Sequence, residues 1–147
     1  MSLKQRLAAD LKLAMNEKDI IRKNTVQMVR SAVLQYEKDN RTELDDDGVI
    51  DIIAKELKQR RDSLPDYEKS GRADLVDGLK AEMAVLMEYL PEQLSEEELT
   101  AIIQDAIAET GASSVKDMGK VMGIVTGKTK GRADAKMIGA LAKKMLS

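Results

Sequence analysis

Apolar residues recur at three- and four-residue intervals along most of this chain, and the recurrences stop at capping or breaking residues. Leu3, Leu7, Leu11 and Met15 follow Ser2 and Gln5, a capping-box pair, and predict a first helix to about residue 17. Val26, Val29, Val33 and Tyr36 predict a second over about 20–40. Asp45-Asp46-Asp47 is a dipole-favoured start for a third, whose core face is Val49, Ile52, Ile53, Leu57 and Leu64. Pro65 is expected to end or kink it, although Tyr67 allows a further turn. Leu75, Val76, Leu79, Met83, Leu86 and Leu90 mark a fourth helix over about 72–89, and Pro91 stops it. Ser95 with Glu98 opens a fifth, which buries Leu99, Ile102, Ile103, Ala106 and Ile107 and ends at Gly111. A sixth spans about 115–127, and a seventh, capped by Asp134, buries Met137, Ile138, Leu141 and Met145.

No segment alternates with period two, so the expected fold is all-α. The break at Leu90-Pro91 divides it into an N-terminal four-helix unit, residues 1–92, and a small C-terminal three-helix bundle, residues 93–147. Composition agrees: Phe and Trp are absent, and nine Met join Leu, Val and Ile in filling the interior. The chain has neither Cys nor His, which excludes disulfides, thiolate metal sites, and Ser-His or Cys-His nucleophiles. No run reaches the roughly 18 apolar residues of a membrane span. The N-terminus leads into an amphipathic pattern rather than an apolar signal core. A cytoplasmic location with no membrane association is therefore expected.

Charge changes the picture at the C-terminal end. The whole chain carries a net −2, but residues 111–147 hold eight basic side chains against two acidic ones, a local net of +6. Within them, Gly119, Gly123 and Gly127 recur every four residues. On a helix they lie opposite the apolar stripe of Met118, Val121, Met122 and Val125, on the side of Lys116 and Lys120. Each helical Gly costs about 1 kcal/mol relative to Ala. Two readings of the stripe stand. Gly127 ends the helix while Gly119 and Gly123 admit a neighbouring helix, or the bare backbone receives a close-approaching anionic partner.

The candidate chemistry is binding rather than catalysis. The acidic runs Asp45–Asp47 and Glu96–Glu98 sit where helices begin, which accounts for them. Gly127-Lys128-Thr129 lacks the upstream glycine of a phosphate loop, since position 122 is Met. Lys116, Lys120, Lys128, Lys130 and Arg132 are the candidate phosphate contacts, with Gly119, Gly123 and Gly131 permitting backbone approach. The bland alternative is a solvated charged face. Tyr occurs only at 36, 67 and 89, so the basic unit has no aromatic platform for bases. A folded RNA read by backbone and shape fits better than DNA or a single strand. A second basic group, Lys55, Lys58, Arg60 and Arg61, is interrupted by Glu56 and Asp62 and is explained first by ion pairing along the helix. No cofactor or metal is expected.

Three ordered motifs carry a family resemblance. Tyr89-Leu90-Pro91-Glu92-Gln93-Leu94-Ser95-Glu96-Glu97-Glu98-Leu99, Asp117-Met118-Gly119-Lys120-Val121-Met122-Gly123 and Lys130-Gly131-Arg132-Ala133-Asp134 closely resemble the YqeY-like proteins. Glu56-Leu57-Lys58-Gln59-Arg60-Arg61-Asp62-Ser63 is similar to that family's N-terminal motif, and Thr126-Gly127 departs from an expected Met-Pro-like pair. The family's C-terminal unit resembles the helical tail of the B subunit of tRNA-dependent amidotransferase (GatB), which helps grip tRNA while the chemistry occurs elsewhere. The resemblance implies a non-catalytic, tRNA-associated binding module. Two alternatives stay open: an accessory component of a glutamine-dependent, carbon–nitrogen ligase assembly, and a protein–protein adaptor. The expected partner is tRNA or a tRNA-charging or amidation complex.

Overall fold

The computed structural model describes all 147 residues, Met1–Ser147. Seven α-helices and no strand form the chain: α1 (Leu3–Glu17), α2 (Ile20–Asn40), α3 (Asp46–Lys69), α4 (Ala73–Met87), α5 (Glu96–Thr110), α6 (Met118–Lys128) and α7 (Ala135–Leu146). One turn of 3-10 helix, Val115–Asp117, precedes α6. The chain divides into two compact units, Met1–Leu90 and Pro91–Ser147.

Polar side chains close the helix ends. The Ser2–Gln5 and Ser95–Glu98 capping boxes both form, each satisfying two otherwise orphaned N–H groups. Asp45 accepts from the Gly48 N–H at 2.9 Å, and Asp134 accepts from the Lys136 N–H at 3.0 Å. Asp46 accepts from the Leu3 N–H at 3.0 Å and so ties the start of α1 to the start of α3. Gly111 closes α5 in the left-handed region.

In the first unit α1–α4 enclose Leu7, Val26, Val29, Val33, Val49, Ile53, Leu57, Val85, Leu86 and Tyr89. Several expected core positions lie outside it: Met15, Tyr36 and Leu75 are exposed, and Ala14 and Val85 are buried instead. Pro65 does not end α3, which runs on to Lys69. Proline there removes a single N–H donor, which a solvent-facing turn tolerates.

Tyr89 anchors the end of this unit. Its hydroxyl donates to Asp10 at 2.5 Å, and the Arg6 guanidinium lies 4.6 Å from its ring centroid. Burial, reinforced by the bond to Asp10, pushes the phenol pKa well above its usual value. Arg22 grips Glu88 through both terminal nitrogens, at 2.5 and 3.2 Å, and this raises its pKa further.

In the second unit α5, α6 and α7 enclose Leu99, Ile103, Ala106, Val121, Val125, Ile138, Ala142 and Leu146. Met137, expected inside, is exposed.

Glu37 supplies a pH-dependent tie in the first unit. Its carboxylate accepts from the Lys4 ammonium and from the Leu44 N–H, the latter at 2.7 Å, and these bonds hold its pKa below the ordinary carboxylate range. A carboxyl whose pKa is depressed by folding adds stability above its unfolded pKa, and this is lost as pH falls through the folded value. Glu37→Gln should therefore lower the thermal midpoint of the first unit at pH 7. The difference from wild type should close as pH drops below about 4, as thermal denaturation by circular dichroism would show.

Candidate functional site

The second unit places the candidate residues along α6 and the turn that follows it. α6 buries Val121 and Val125 completely, and Met118, Met122 and Ile124 pack around them. That orientation forces the opposite side of the helix outward. Gly119, Gly123 and Gly127 are all exposed, and beyond its chain neighbours and the adjacent helix backbone a Cβ built on any of them meets no heavy atom within 4 Å. No helix of the second unit packs on the stripe.

Gly127 is not the helix terminator. α6 continues to Lys128, and Thr129 caps it: its N–H bonds the Val125 carbonyl at 3.0 Å, and its buried hydroxyl donates to the same oxygen at 2.7 Å. Past the end of α6 it is Gly131 that has a positive φ, at 73°. The Arg132 N–H donates to the Thr129 carbonyl at 2.8 Å, so Thr129–Arg132 is a β-turn with Gly131 at the position where only glycine is unstrained. Lys130 occupies the turn's first central position.

Residues 92–94 hold this turn. The Gln93 amide nitrogen donates to the carbonyls of Pro91, at 3.0 Å, and Gly131, at 2.8 Å. The Leu94 N–H donates to the Arg132 carbonyl at 2.9 Å, and the Arg132 Nε donates to the Glu92 carbonyl at 3.3 Å.

The five cations form a strip rather than one cluster. Lys116 lies in the 3-10 turn and Lys120 near the start of α6, both exposed. Lys128 ends α6, its ammonium 3.8 Å from the Glu109 carboxylate in an exposed pair worth little. Lys130 is exposed, whereas Arg132 is half-buried through its tie to residue 92. At 1.5 Å per residue, Lys120 and Lys128 stand about 12 Å apart along the axis of α6. Arg132 is thus a partly fixed arm rather than a freely flexible cation. Gln93 and Thr129 escape a pattern search. Gln93 is a single loop amide acting across 38 residues, and Thr129 looks like any polar loop residue.

The second basic group does not persist as one. Arg60 is buried, its Nη1 donating to the Glu56 carboxylate at 2.9 Å and its Nη2 contacting the Met28 sulfur at 3.0 Å. It is an internal tie between α2 and α3. Lys55 and Lys58 are exposed and Arg61 half-buried.

Fold and surface together define a small all-helical protein that presents bare helix backbone flanked by cations. Residues 4–146 match the family described as "Yqey-like protein", and the chain belongs to that family. It is similar to proteins named "Altered inheritance of mitochondria protein 41, mitochondrial". The one from Lachancea thermotolerans is 32% identical over 141 residues, covering 91% of this chain and 75% of that protein. The one from Pyrenophora tritici-repentis is 30% identical over 130 residues, covering 87% and 71%. A third, from Kluyveromyces lactis, is 36% identical over 102 residues, covering 67% and 55%. Neither the family description nor these names specify a catalysed reaction. The names do place the relatives in mitochondria, and this overturns the expectation of a cytoplasmic location. No helix is long and apolar enough to cross a membrane.

The open space above Gly123 makes a definite prediction. Gly123→Ala adds a methyl group where nothing obstructs it, in a helical turn, and should raise the stability of the second unit by about 0.5–1 kcal/mol. Urea denaturation measures this, and a loss of stability would reveal a packing role for the glycine.

Proposed function

We infer that residues 91–147 bind the phosphate backbone of a folded RNA, tRNA being the expected class, without themselves catalysing a reaction. The observation that carries this reading is the outward, unobstructed glycine face of α6 bordered by Lys116, Lys120, Lys128, Lys130 and Arg132. Glycine lowers helix stability, and here no internal contact is gained in return. An external partner approaching the backbone closely supplies the missing reason.

Anionic chemistry suits the site. Lysines on flexible stems neutralise phosphates without fixing sequence. The second unit contains no aromatic side chain, so contacts to backbone and shape, rather than base stacking, would dominate. The GatB-like tail motifs favour the same class of partner. The mitochondrial names of the relatives direct the choice of RNA toward mitochondrial tRNA as well as total tRNA.

Two further readings share these residues. In one, the protein is an accessory component of a tRNA amidotransferase-like assembly, and the resemblance to the GatB tail favours it. In the other, the open stripe of Gly119, Gly123 and Gly127 receives a helix of a partner protein, and their four-residue spacing favours this one.

Fluorescence anisotropy of labelled tRNA across a salt series separates them. Each phosphate contact contributes about −0.7 to −0.9 to the slope of log affinity against log salt. The RNA reading expects a slope near −3 to −4 that collapses when the five cations are changed to Ala. It also expects Gly123→Leu to weaken binding while leaving helicity intact. Absence of binding, or binding indifferent to these changes, removes the RNA reading and leaves the protein-partner readings. A stimulated amidation rate on adding the protein to a transamidation system would favour the accessory role.

A further inference from the structure

The turn that carries two of the five cations is held by residues 92–94, and among the groups those residues supply the Gln93 amide is the one that a side-chain change alone removes. We propose that Gln93 is the positioning residue of the cation strip. It holds the Thr129–Arg132 turn in the one conformation that lets Lys130 and Arg132 engage the same stretch of phosphate backbone as α6. This rests on the RNA-binding reading above and extends it to a residue that touches no phosphate.

The geometry supports a clamp. A primary amide has two N–H donors, and both are spent at good distance, 3.0 Å to the Pro91 carbonyl and 2.8 Å to the Gly131 carbonyl. The first fixes the Gln93 side chain against its own segment, so the second positions the turn rather than following it. Gly131 is the least restrained residue of the turn, since its backbone is free to leave φ 73° for other regions. Its carbonyl is where an external restraint has most effect. The Leu94 N–H takes the next carbonyl, that of Arg132, at 2.9 Å, and the Arg132 Nε returns to Glu92 at 3.3 Å. Residues 92–94 and 131–132 are thereby laced together on alternate groups. Without the amide, the turn keeps its internal bond from Arg132 to Thr129 and the Leu94 bond to the Arg132 carbonyl, but loses the tie on its Gly131–Arg132 peptide.

Gln93 contributes little to the core. It is half-buried and lies outside the cluster of Leu99, Ile103, Val121, Val125 and Ile138. Its loss should therefore act on the turn and spare the bundle. A loosened turn would make its phosphate contacts only part of the time, as conformational freedom must be lost again on binding.

A double-mutant cycle on the full chain tests this, with labelled total tRNA as the probe. Gln93→Ala should weaken binding about five- to twenty-fold and make the salt slope shallower by roughly 0.7–1.8, the equivalent of one to two phosphate contacts. In a Lys130→Ala/Arg132→Ala background, Gln93→Ala should have no further effect. Gln93→Glu, which keeps the length but cannot donate, should match or exceed the loss in the wild-type background. Hydrogen exchange gives an arm independent of RNA: in Gln93→Ala the Arg132 and Leu94 amides should exchange faster, with the amides of α5 and α7 unchanged. An equal loss of affinity in both backgrounds, or an unchanged slope, overturns the positioning role. Unchanged exchange at Arg132 and Leu94 overturns the clamp itself. If wild type fails to bind tRNA while the exchange result holds, the clamp is real and the RNA reading falls.

Discussion

Burial of Val121 and Val125 against Leu99, Ile103, Ile138 and Ala142 is the constraint from which the candidate surface follows. A helix presents its faces as one rigid object, so fixing one stripe fixes all others. Once the two valines reach zero exposure, Gly119, Gly123 and Gly127 have only the outside to face. The same helix delivers Lys116 and Lys120 at one end and the Lys130–Arg132 turn at the other. Disturbing the valines would therefore disperse the whole surface, whereas changing a glycine alters the surface alone.

The placement of charge follows a similar economy of parts. In the second unit, α5 begins with Glu96–Glu98 at its positive end, and α7 ends with Lys143 and Lys144 in its last turn. Both complement helix dipoles and need no partner. Lys120, near the start of α6, has no such role at a helix C-terminus. The distinction matters because net charge alone would count all these residues equally. In the first unit Arg60 pairs with Glu56 along α3, the ion pairing expected of it, and also contacts Met28 in the interior.

Much of this was readable from pattern because caps and stripes are local. Ser2, Asp45, Ser95, Asp134 and Gly111 sit at the helix ends they were expected to mark. The all-α fold follows from the same periodicity. What periodicity missed lies where a stripe outruns its neighbours. Met15, Leu75 and Met137 lie within a turn or so of helix ends and are exposed there, and Tyr36 follows near the end of α2. Pro65 left two outcomes open, and α3 takes the further turn that Tyr67 allowed, because the cost of the proline depends on whether the carbonyl it frees can face water. Gly127 looked like a terminator because glycine usually is one, but the buried Thr129 hydroxyl caps α6 instead. The lacing of residues 92–94 to 131–132 was out of reach, since it depends on tertiary pairing across some 38 residues. Location was misjudged because the spacing of apolar residues does not report a compartment, whereas the relatives carry mitochondrial names.

The central claim is that an anionic partner seats on the open face of α6 and the turn that follows it. Amide chemical-shift mapping of the full chain during titration with tRNA addresses it directly. The account predicts shifts concentrated at Gly119, Gly123, Gly127 and Lys130 to Arg132, with the buried amides of Val121 and Val125 moving much less. Shifts confined to residues 1–90, or spread without preference over every exposed lysine, would contradict it.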